Sequence, residues 1–404
     1  IAQCLVGSEM CIRDRKKRMI AALMATALAV SALAGCSSKP AESAAAPAET
    51  TAAATEAATE AAKEDSATEA ATEAAAQAAA SGEGSDYHLA ICIHSMDNEY
   101  WAQEAEGAKL AAASYGVSAD VLTCDSDDNK QLQGIKDYIA QYGDKAIFVV
   151  DPSSTANTAN IAELCEESGN YVTILAHRAE GLYPKDYPHF VASLMLDDIA
   201  IGKATAKALF ESIGGEGQVV ELQGLLGDDS ATNRHKAFEE ALKDYPNIEV
   251  VDSQTASWSQ SEAMTLTENW LVKYPDLKGV YSANDTMALG AVEALKNKGL
   301  NGKVMVSGCD GIEAALNAVN DGDMVITNAN NGYMIAGYGA SYAIQAALGK
   351  LDPTSIPDNE RLIFCKTTLV TKDNATDIID KFIKTKNPGY DYNDLSFCID
   401  KYQE

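Results

Sequence analysis

The chain has 404 residues, of which 47% are hydrophobic, and its 31 basic and 59 acidic residues give a formal net charge of −28. This excess of negative charge argues against nucleic acid or an anionic lipid surface as a binding partner. About 320 residues follow the N-terminal segments described below, more than one hydrophobic core usually holds, so we expect two lobes.

The N-terminal region contains two segments that we exclude from the fold. Residues 1–15 include CLVGSEMCIRDR, which resembles a translated sequencing adapter. Residues 16–35 have the pattern of a signal peptide, with three basic residues and an apolar run that is shorter than the roughly 20 residues of a membrane span. The run ends in Leu33-Ala34-Gly35-Cys36, which resembles a bacterial lipobox and implies lipid attachment to Cys36. An ordinary signal peptide with a chance cysteine is the alternative.

Residues 36–85 are predicted to be a disordered spacer. Between Ser37 and Ser85 the chain is almost entirely Ala, Glu, Thr and Ser, with repeated TEAA and no Leu, Ile, Val or aromatic residue. Such a segment cannot bury enough apolar surface to offset the entropy lost on ordering. A stable helix with partners is the alternative, although glutamates four residues apart, such as Glu56 and Glu60, repel each other.

The rest of the chain alternates short apolar runs with amphipathic stretches, among them predicted helices at 102–114, 129–141 and 285–298. Continuous Val, Ile and Leu runs separated by helices predict an α/β fold of doubly wound parallel sheets. Ligands of such folds bind beyond the carboxyl ends of the strands. The predicted strands are 89–93, 119–124, 146–150, 171–175, 190–193, 218–222, 248–254, 279–282, 304–309 and 324–328.

Five stretches carry a specific resemblance over nearly the whole folded part. They read ICIHSMDNEYW (91–101), VVELQG (219–224), VYSANDTMALGAVEAL (280–295), VMVSGCDG (304–311) and TTLVTKDNA (367–375). In this order they resemble the type I periplasmic sugar-binding proteins, the ribose and galactose/glucose group. The resemblance implies two lobes joined by a three-strand hinge.

The resemblance also implies a set of ligand-binding residues. Sugar hydroxyls both donate and accept hydrogen bonds, so planar polar groups suit them, and aromatic rings stack on the C–H faces of the sugar. His94 and His177 depart from the family pattern, and they leave the identity of the sugar open. We expect a neutral pyranose or furanose. The implied residues are His94, Asn98, Tyr100, Trp101, His177, Arg178, Arg234, Trp258, Asn284, Asp310 and Asn330.

Some of these side chains also have a local interpretation. Asn284 is followed by Asp285, which we take as the better helix cap, leaving Asn284 for the ligand. Trp258 stands in the polar loop Ala256-Ser257-Trp258-Ser259, and we expect an exposed tryptophan there that stacks on the sugar.

The resemblance implies the domain boundaries and the mechanism. Lobe one is expected at 86–196 plus 331–363, lobe two at 197–330 plus 364–390, and residues 391–404 are expected to be a C-terminal tail. The lobes would close on a monosaccharide and deliver it to an ABC permease of the sugar type. We expect a monomer outside the cytoplasm, lipid-anchored to the membrane of a Gram-positive cell.

Other classes of protein find little support. The chain has no HExxH, GxSxG or Walker motif, so we expect no enzyme, and we predict neither a cofactor nor a metal. Asp125, Asp127 and Asn129 resemble the start of a calcium loop, but Lys130 and Lys136 stand where the loop needs Gly and Glu. A regulator would need a DNA-binding motif before residue 86. A sugar sensor that presents its ligand to a membrane receptor or kinase stays open as the alternative to transport.

The folded part contains six cysteines without CxxC spacing, which gives no zinc pattern. Several lie inside apolar runs, where a free cysteine behaves as a small hydrophobic residue. We expect mostly reduced, buried thiols at Cys92, Cys124, Cys165, Cys309, Cys365 and Cys398.

Overall fold

The structure is a computed structural model that describes residues 84–385, 390–398 and 400–401. The predicted adapter, the signal peptide, the predicted lipid site Cys36 and all but the last two residues of the spacer lie outside the described residues, and so does the end of the chain after residue 401.

Lobe one is built on a seven-stranded sheet in the order β13-β11-β5-β4-β3-β1-β2, parallel except for the antiparallel β13. Side chains of β1 alternate between two hydrophobic cores: Leu89, Ile91 and Ile93 on one face, Ala90 and Cys92 on the other. Burial on both faces explains the continuous apolar run. The strands are β1 (His88–Ile93), β2 (Ser118–Thr123), β3 (Ala146–Val150), β4 (Val172–Leu175), β5 (Phe190–Met195), β11 (Leu362–Phe364) and β13 (Asp400–Lys401).

Four helices cover the lobe-one sheet. The last of them packs along the first and against β3, β4 and β5. The helices are α1 (Glu99–Tyr115), α2 (Asp128–Tyr142), α3 (Asn157–Ser168) and α9 (Gly332–Ala347). The calcium-like residues before α2 have a structural role, because Asp127 caps the helix and Asp125 pairs with Lys130.

Lobe two contains a four-stranded parallel sheet in the order β7-β6-β8-β9 and an antiparallel pair, β10-β12. Its strands are β6 (Glu216–Gln223), β7 (Asn247–Thr255), β8 (Leu277–Ser282), β9 (Met305–Ser307), β10 (Thr327–Ala329) and β12 (Thr368–Val370). Its helices are α4 (Asp198–Ser212), α5 (Asp229–Leu242), α6 (Gln260–Lys273), α7 (Asp285–Lys298), α8 (Glu313–Asp321) and α10 (Ala375–Ile378), which continues as a π turn over Ile379–Ile383. The predicted fold class is confirmed.

The chain crosses between the lobes after β5, after β10 and between β11 and β12. At the second crossing Asn331 has a positive φ of 53° and caps α9 by accepting a hydrogen bond from the Met334 amide. Non-glycine residues rarely adopt this conformation, although Asn does so more readily than most.

The end of the chain returns to lobe one, contrary to the predicted tail from residue 391 and to the assignment of 390 to lobe two. Tyr390 and Tyr392 are buried against Tyr338 of α9, and the Tyr115 hydroxyl donates to the Tyr392 carbonyl over 2.5 Å. Strand β13 then extends the lobe-one sheet. The aromatic side chains drive this packing, and they stand in a segment whose many polar residues suggested a tail.

Candidate ligand-binding site

One cavity lies between the lobes, near the carboxyl ends of their parallel strands. It contains about 440 Å³ of space free of protein atoms, part of it open to solvent. The lining of this interlobe cavity comes from both lobes: Asn98, Tyr100, Trp101, Asp151, Ala176, His177 and Leu196 from lobe one, and Asp228, Ser230, Arg234, Trp258, Asn284 and Asp310 from lobe two.

The two lobes touch across the cavity. The Asp229 amide donates to Thr155 Oγ1 over 2.9 Å, and the Glu313 amide donates to Glu99 Oε1 over 2.6 Å. A third contact, described below, joins His177 to Asp228. The structure therefore shows the lobes in a closed arrangement.

The aromatic wall of lobe one lies at the start of α1. Asn98 caps this helix by accepting a hydrogen bond from the Tyr100 amide over 2.9 Å, which places Tyr100 and Trp101 at the cavity. His94 is stacked flat behind Trp101, with ring centroids 4.4 Å apart. Its ring nitrogens lie 2.9 Å from Ser126 Oγ and 3.0 Å from the Pro152 carbonyl oxygen. His94 therefore supports Trp101 and does not line the cavity, contrary to its predicted contact with the ligand.

Three side chains form a row that joins the lobes. His177 Nε2 lies 3.4 Å from Asp151 Oδ1, and its Nδ1 lies 3.2 Å from Asp228 Oδ1 in the other lobe. Burial lowers the pKa of His177, but the carboxylates of Asp228 and Asp151 outweigh this effect, and the pKa is raised overall. The same burial raises the pKa of Asp151, against the effect of the two histidines beside it.

Asp228 also holds the aromatic wall of lobe two. It caps α5 by accepting from the Ala231 amide over 3.1 Å, and its other oxygen accepts from Trp258 Nε1 over 3.1 Å. Trp258 is only 8% exposed, so the expectation of an exposed side chain was wrong. Its ring packs against Gly224, where a Cβ atom would lie 2.0 Å from the ring. A side chain in place of Gly224 would displace Trp258 from the cavity.

The polar wall of lobe two is organised around Arg234. Its guanidinium donates to Asp198 Oδ1 and to the Ala283 carbonyl over 2.8 Å each, and lies 3.4 Å from Asp310 Oδ1. Burial raises the pKa of Asp310 to about 8, although Arg234 opposes the shift. Asn330 donates to Asp310 from behind over 3.1 Å, so this predicted ligand residue positions Asp310 and lies outside the cavity lining.

Asp310 has a strained backbone. Its φ of 133° lies in a region that favours glycine, and such strain costs about 1–3 kcal/mol and often occurs at functional sites. The surrounding contacts hold it there, because the Asp310 amide donates to the Asn328 carbonyl over 2.9 Å.

The structure gives the role of helix cap to Asn284 and not to Asp285, contrary to the prediction. Asn284 is the helix cap, since its side-chain oxygen accepts from the Met287 amide over 2.9 Å, and it also lines the cavity. Asp285 is fully buried and accepts from the Gly311 amide over 2.7 Å and from Thr327 Oγ1. Burial raises the pKa of Asp285 to about 7, against these hydrogen bonds. Asp285 thus fixes the loop that carries Asp310.

Arg178 points away from the cavity. Its Nη1 donates to the Leu182 carbonyl, and its guanidinium lies 4.9 Å from the centre of the Tyr183 ring. The loop after β4 folds back on itself, which satisfies this arginine locally. The structure does not bring Arg178 to the site predicted for it.

One group of side chains has the spacing of a metal site. Ligand atoms of His94, Asp151 and His177 lie within 4.8 Å of one another. However, His94 Nε2 faces the Pro152 carbonyl, which can only accept, so this nitrogen carries the proton and has no lone pair for a metal. The donor set therefore does not suit a metal ion.

Two α/β lobes, joined by several passages of the chain and separated by a polar cavity with aromatic walls, define a two-lobed ligand-binding protein. The chain belongs to the family described as periplasmic binding protein domain, which matches residues 89–351. Membership of this family places the folded part outside the cytoplasm.

Relatives of known function support the sugar-binding branch of the family. The xylitol-binding protein of Mycolicibacterium smegmatis is 28% identical over 75% of this chain and 82% of its own length. The D-allose-binding periplasmic protein of Escherichia coli is 31% identical over 65% of this chain and 86% of its own length. The resemblance to type I periplasmic sugar-binding proteins is confirmed. These relatives are binding proteins, which also confirms the prediction that the chain is not an enzyme.

Solved structures agree. A twin-arginine translocation pathway signal protein from Burkholderia phytofirmans is 34% identical, with a TM-score of 0.75 over 78% of this chain and 97% of that one. A periplasmic solute-binding protein from Actinobacillus succinogenes with bound D-allose is 27% identical, with a TM-score of 0.65 over 72% of this chain and 99% of that one. Among the described residues, no helix has both the length and the apolar character that a membrane crossing requires.

Proposed function

We propose that the chain captures a monosaccharide between its two lobes and delivers it to an ABC sugar permease, while a lipid on Cys36 tethers it to the cell membrane. The observation that carries the proposal is the interlobe cavity, whose aromatic and polar walls come from both lobes. The relatives that bind xylitol and D-allose support the ligand class.

Closure and ligand capture are coupled in this mechanism. Trp101 and Trp258 offer stacking faces from opposite lobes, while Asn284, Arg234 and Asp310 offer donors and acceptors to hydroxyl groups. A ligand that contacts both walls binds the closed form better than the open form, so it shifts the lobes toward closure. The permease then recognises the closed form and receives the sugar.

A titration tests ligand capture. Two of the three tryptophans in the chain line the cavity, so tryptophan fluorescence and melting temperature should both change when a bound monosaccharide or polyol is added. Asp310→Asn should abolish both changes. Asp373→Asn is the matched control, because Asp373 is an exposed carboxylate in the same lobe. If no monosaccharide or polyol changes either signal in the unsubstituted chain, the proposal fails.

Cell fractionation tests the tether. The chain should accompany the membrane and incorporate a labelled fatty acid, and Cys36→Ser should remove the label and release the protein. Unlabelled, soluble protein in the unsubstituted strain would contradict a lipid anchor and leave sugar capture unaffected.

A further inference from the structure

The cavity has more carboxylates than cations. Asp151, Asp228 and Asp310 line it, and the cations among the lining residues are Arg234 and His177. Arg234 is engaged by Asp310 and by Asp198 behind it. His177 is then left to serve both Asp151 and Asp228.

Two buried side-chain oxygen atoms in the lobe-one wall of the cavity make no hydrogen bond. They are Oδ1 of Asp151, which is 2% exposed, and the hydroxyl of Tyr100, which is 8% exposed. Both residues line the cavity. Behind Asp151 lies the fully buried Glu104, whose carboxyl group interacts with that of Asp151. Buried polar groups are nearly always paired in folded proteins, so the Asp151 oxygen and the Tyr100 hydroxyl, whose residues line the cavity, indicate a partner that the ligand supplies.

We propose that the ligand is an amino sugar or an aminocyclitol, a polyhydroxylated ring with a protonated amine, and that Asp151 binds the amine. This inference rests on the proposed function and narrows its ligand class. An ammonium group brings three N–H donors and a positive charge, whereas a hydroxyl brings one donor and no charge. The expectation of a neutral sugar assumed a pocket with few charges, and that pocket contained neither Asp151 nor Asp228.

The protonation behaviour of the site is consistent with a missing cation. Burial raises the pKa of Glu104 and Asp151, and the negative charge of Asp151 raises that of Glu104 further. These surroundings favour the neutral form of each buried carboxyl group, and a cation beside them would favour the charged form. A bound ammonium supplies that charge directly.

Calorimetric titration of paired ligands tests the inference. Aldohexoses and aldopentoses are compared near neutral pH with their amino-deoxy counterparts, for example D-glucose with D-glucosamine and D-galactose with D-galactosamine. The best amino sugar should bind at least about tenfold more tightly than its neutral parent, as expected for a charge-assisted hydrogen bond at a buried carboxylate. This comparison needs no variant.

Two isosteric variants locate the effect. Asp151→Asn should remove the preference for the amine. Asp97→Asn makes the same change of charge at an exposed residue, in a second groove that lies outside the cavity beyond Asn98 and Trp101. This variant should keep the preference for the amine. Melting curves of the ligand-free variants establish that both fold.

Neutral parents that bind as tightly as their amino counterparts would overturn the inference and leave the proposed function standing. A preference for the amine that persists in Asp151→Asn would overturn the role of Asp151. Absence of binding by every compound in both series would overturn the inference and the proposed function together.

Discussion

Replacing His177 by asparagine should open the ligand-free protein. His177 Nδ1 lies 3.2 Å from Asp228 Oδ1, and these two residues belong to different lobes, so the contact exists only when the lobes are together. Asparagine can donate a hydrogen bond to one carboxylate, but it carries no charge. The closed form therefore loses a charged contact that the open form never had.

The distance sets the size of the effect. Two unit charges 3.2 Å apart attract by about 5 kcal/mol at an effective dielectric constant of about 20. Burial of both groups costs much of this gain, because each group loses hydration. A net value of about 2 kcal/mol is usual for a hydrogen bond to a charged group, and it corresponds to a shift of about thirtyfold in the ratio of open to closed molecules.

The same contact predicts a response to pH. Burial opposes the proton on His177, but Asp228, Asp151 and the more distant Asp198 and Asp229 outweigh it and raise the pKa in the closed form. In the open form Asp228 has moved away, and the pKa falls toward its ordinary value of about 6.5. The stabilisation of the closed form is complete below the pKa of the open form and is lost as the pH rises through the higher pKa of the closed form. Raising the pH should therefore open the protein.

Distance measurements between spin labels check both expectations. Lys136 and Ser261 are exposed, lie on opposite lobes and accept cysteine substitutions for labelling, while Cys92, Cys124, Cys165, Cys309 and Cys365 are buried. His189→Asn is the control, because His189 pairs with Glu166 inside lobe one. Equal distance distributions for the His177→Asn and unsubstituted proteins, at acid and alkaline pH alike, would refute the reasoning.

Four further changes test the packing. Arg234→Met leaves the buried Asp198 without its cation, so the free energy of unfolding measured by urea denaturation should fall by about 3–5 kcal/mol. An unchanged midpoint of the urea transition would contradict this expectation. Gly107→Ala places a Cβ atom 2.3 Å from a backbone oxygen of α9 and should cost about 1–3 kcal/mol. Gly134→Ala, in a half-buried helical position where the nearest atom to the new Cβ lies 3.9 Å away, should instead stabilise by about 0.5–1 kcal/mol in the same assay. Deleting residues 386–404 uncovers apolar surface on α9, so calorimetry should show a lower melting temperature; an unchanged value would contradict the observed packing.

Long apolar runs made most of the fold predictable, and short elements were missed. The run at 146–150 coincides with β3, because a strand buried on both faces must be apolar throughout. Strands β11 and β13 have only three and two residues, and tertiary pairing rather than sequence pattern determines them.

The candidate site was likewise predicted only in part. Asp151 directly follows β3, as Asp310 follows the predicted strand 304–309, so the signal that indicated Asp310 was also present for Asp151. Asp228 has the local signature of a helix cap, and its place in the cavity depends on how the second lobe faces the first. Arg178 was misplaced because its partner, the Leu182 carbonyl, is fixed by the path of one loop. Position along the chain predicted which strand ends form the cavity, but it did not predict the direction of each side chain.

The return of the chain to lobe one has a mechanical consequence. Strand β1 begins the described fold and β13 ends it, and both belong to the same sheet. Both chain segments of lobe two therefore lie between segments of lobe one, and any pull from the preceding chain acts on lobe one. Rotation of lobe two does no work against that pull. Lobe one can thus remain stationary relative to the preceding chain while lobe two rotates. The force needed to close the lobes is then independent of the load on the N-terminal segment.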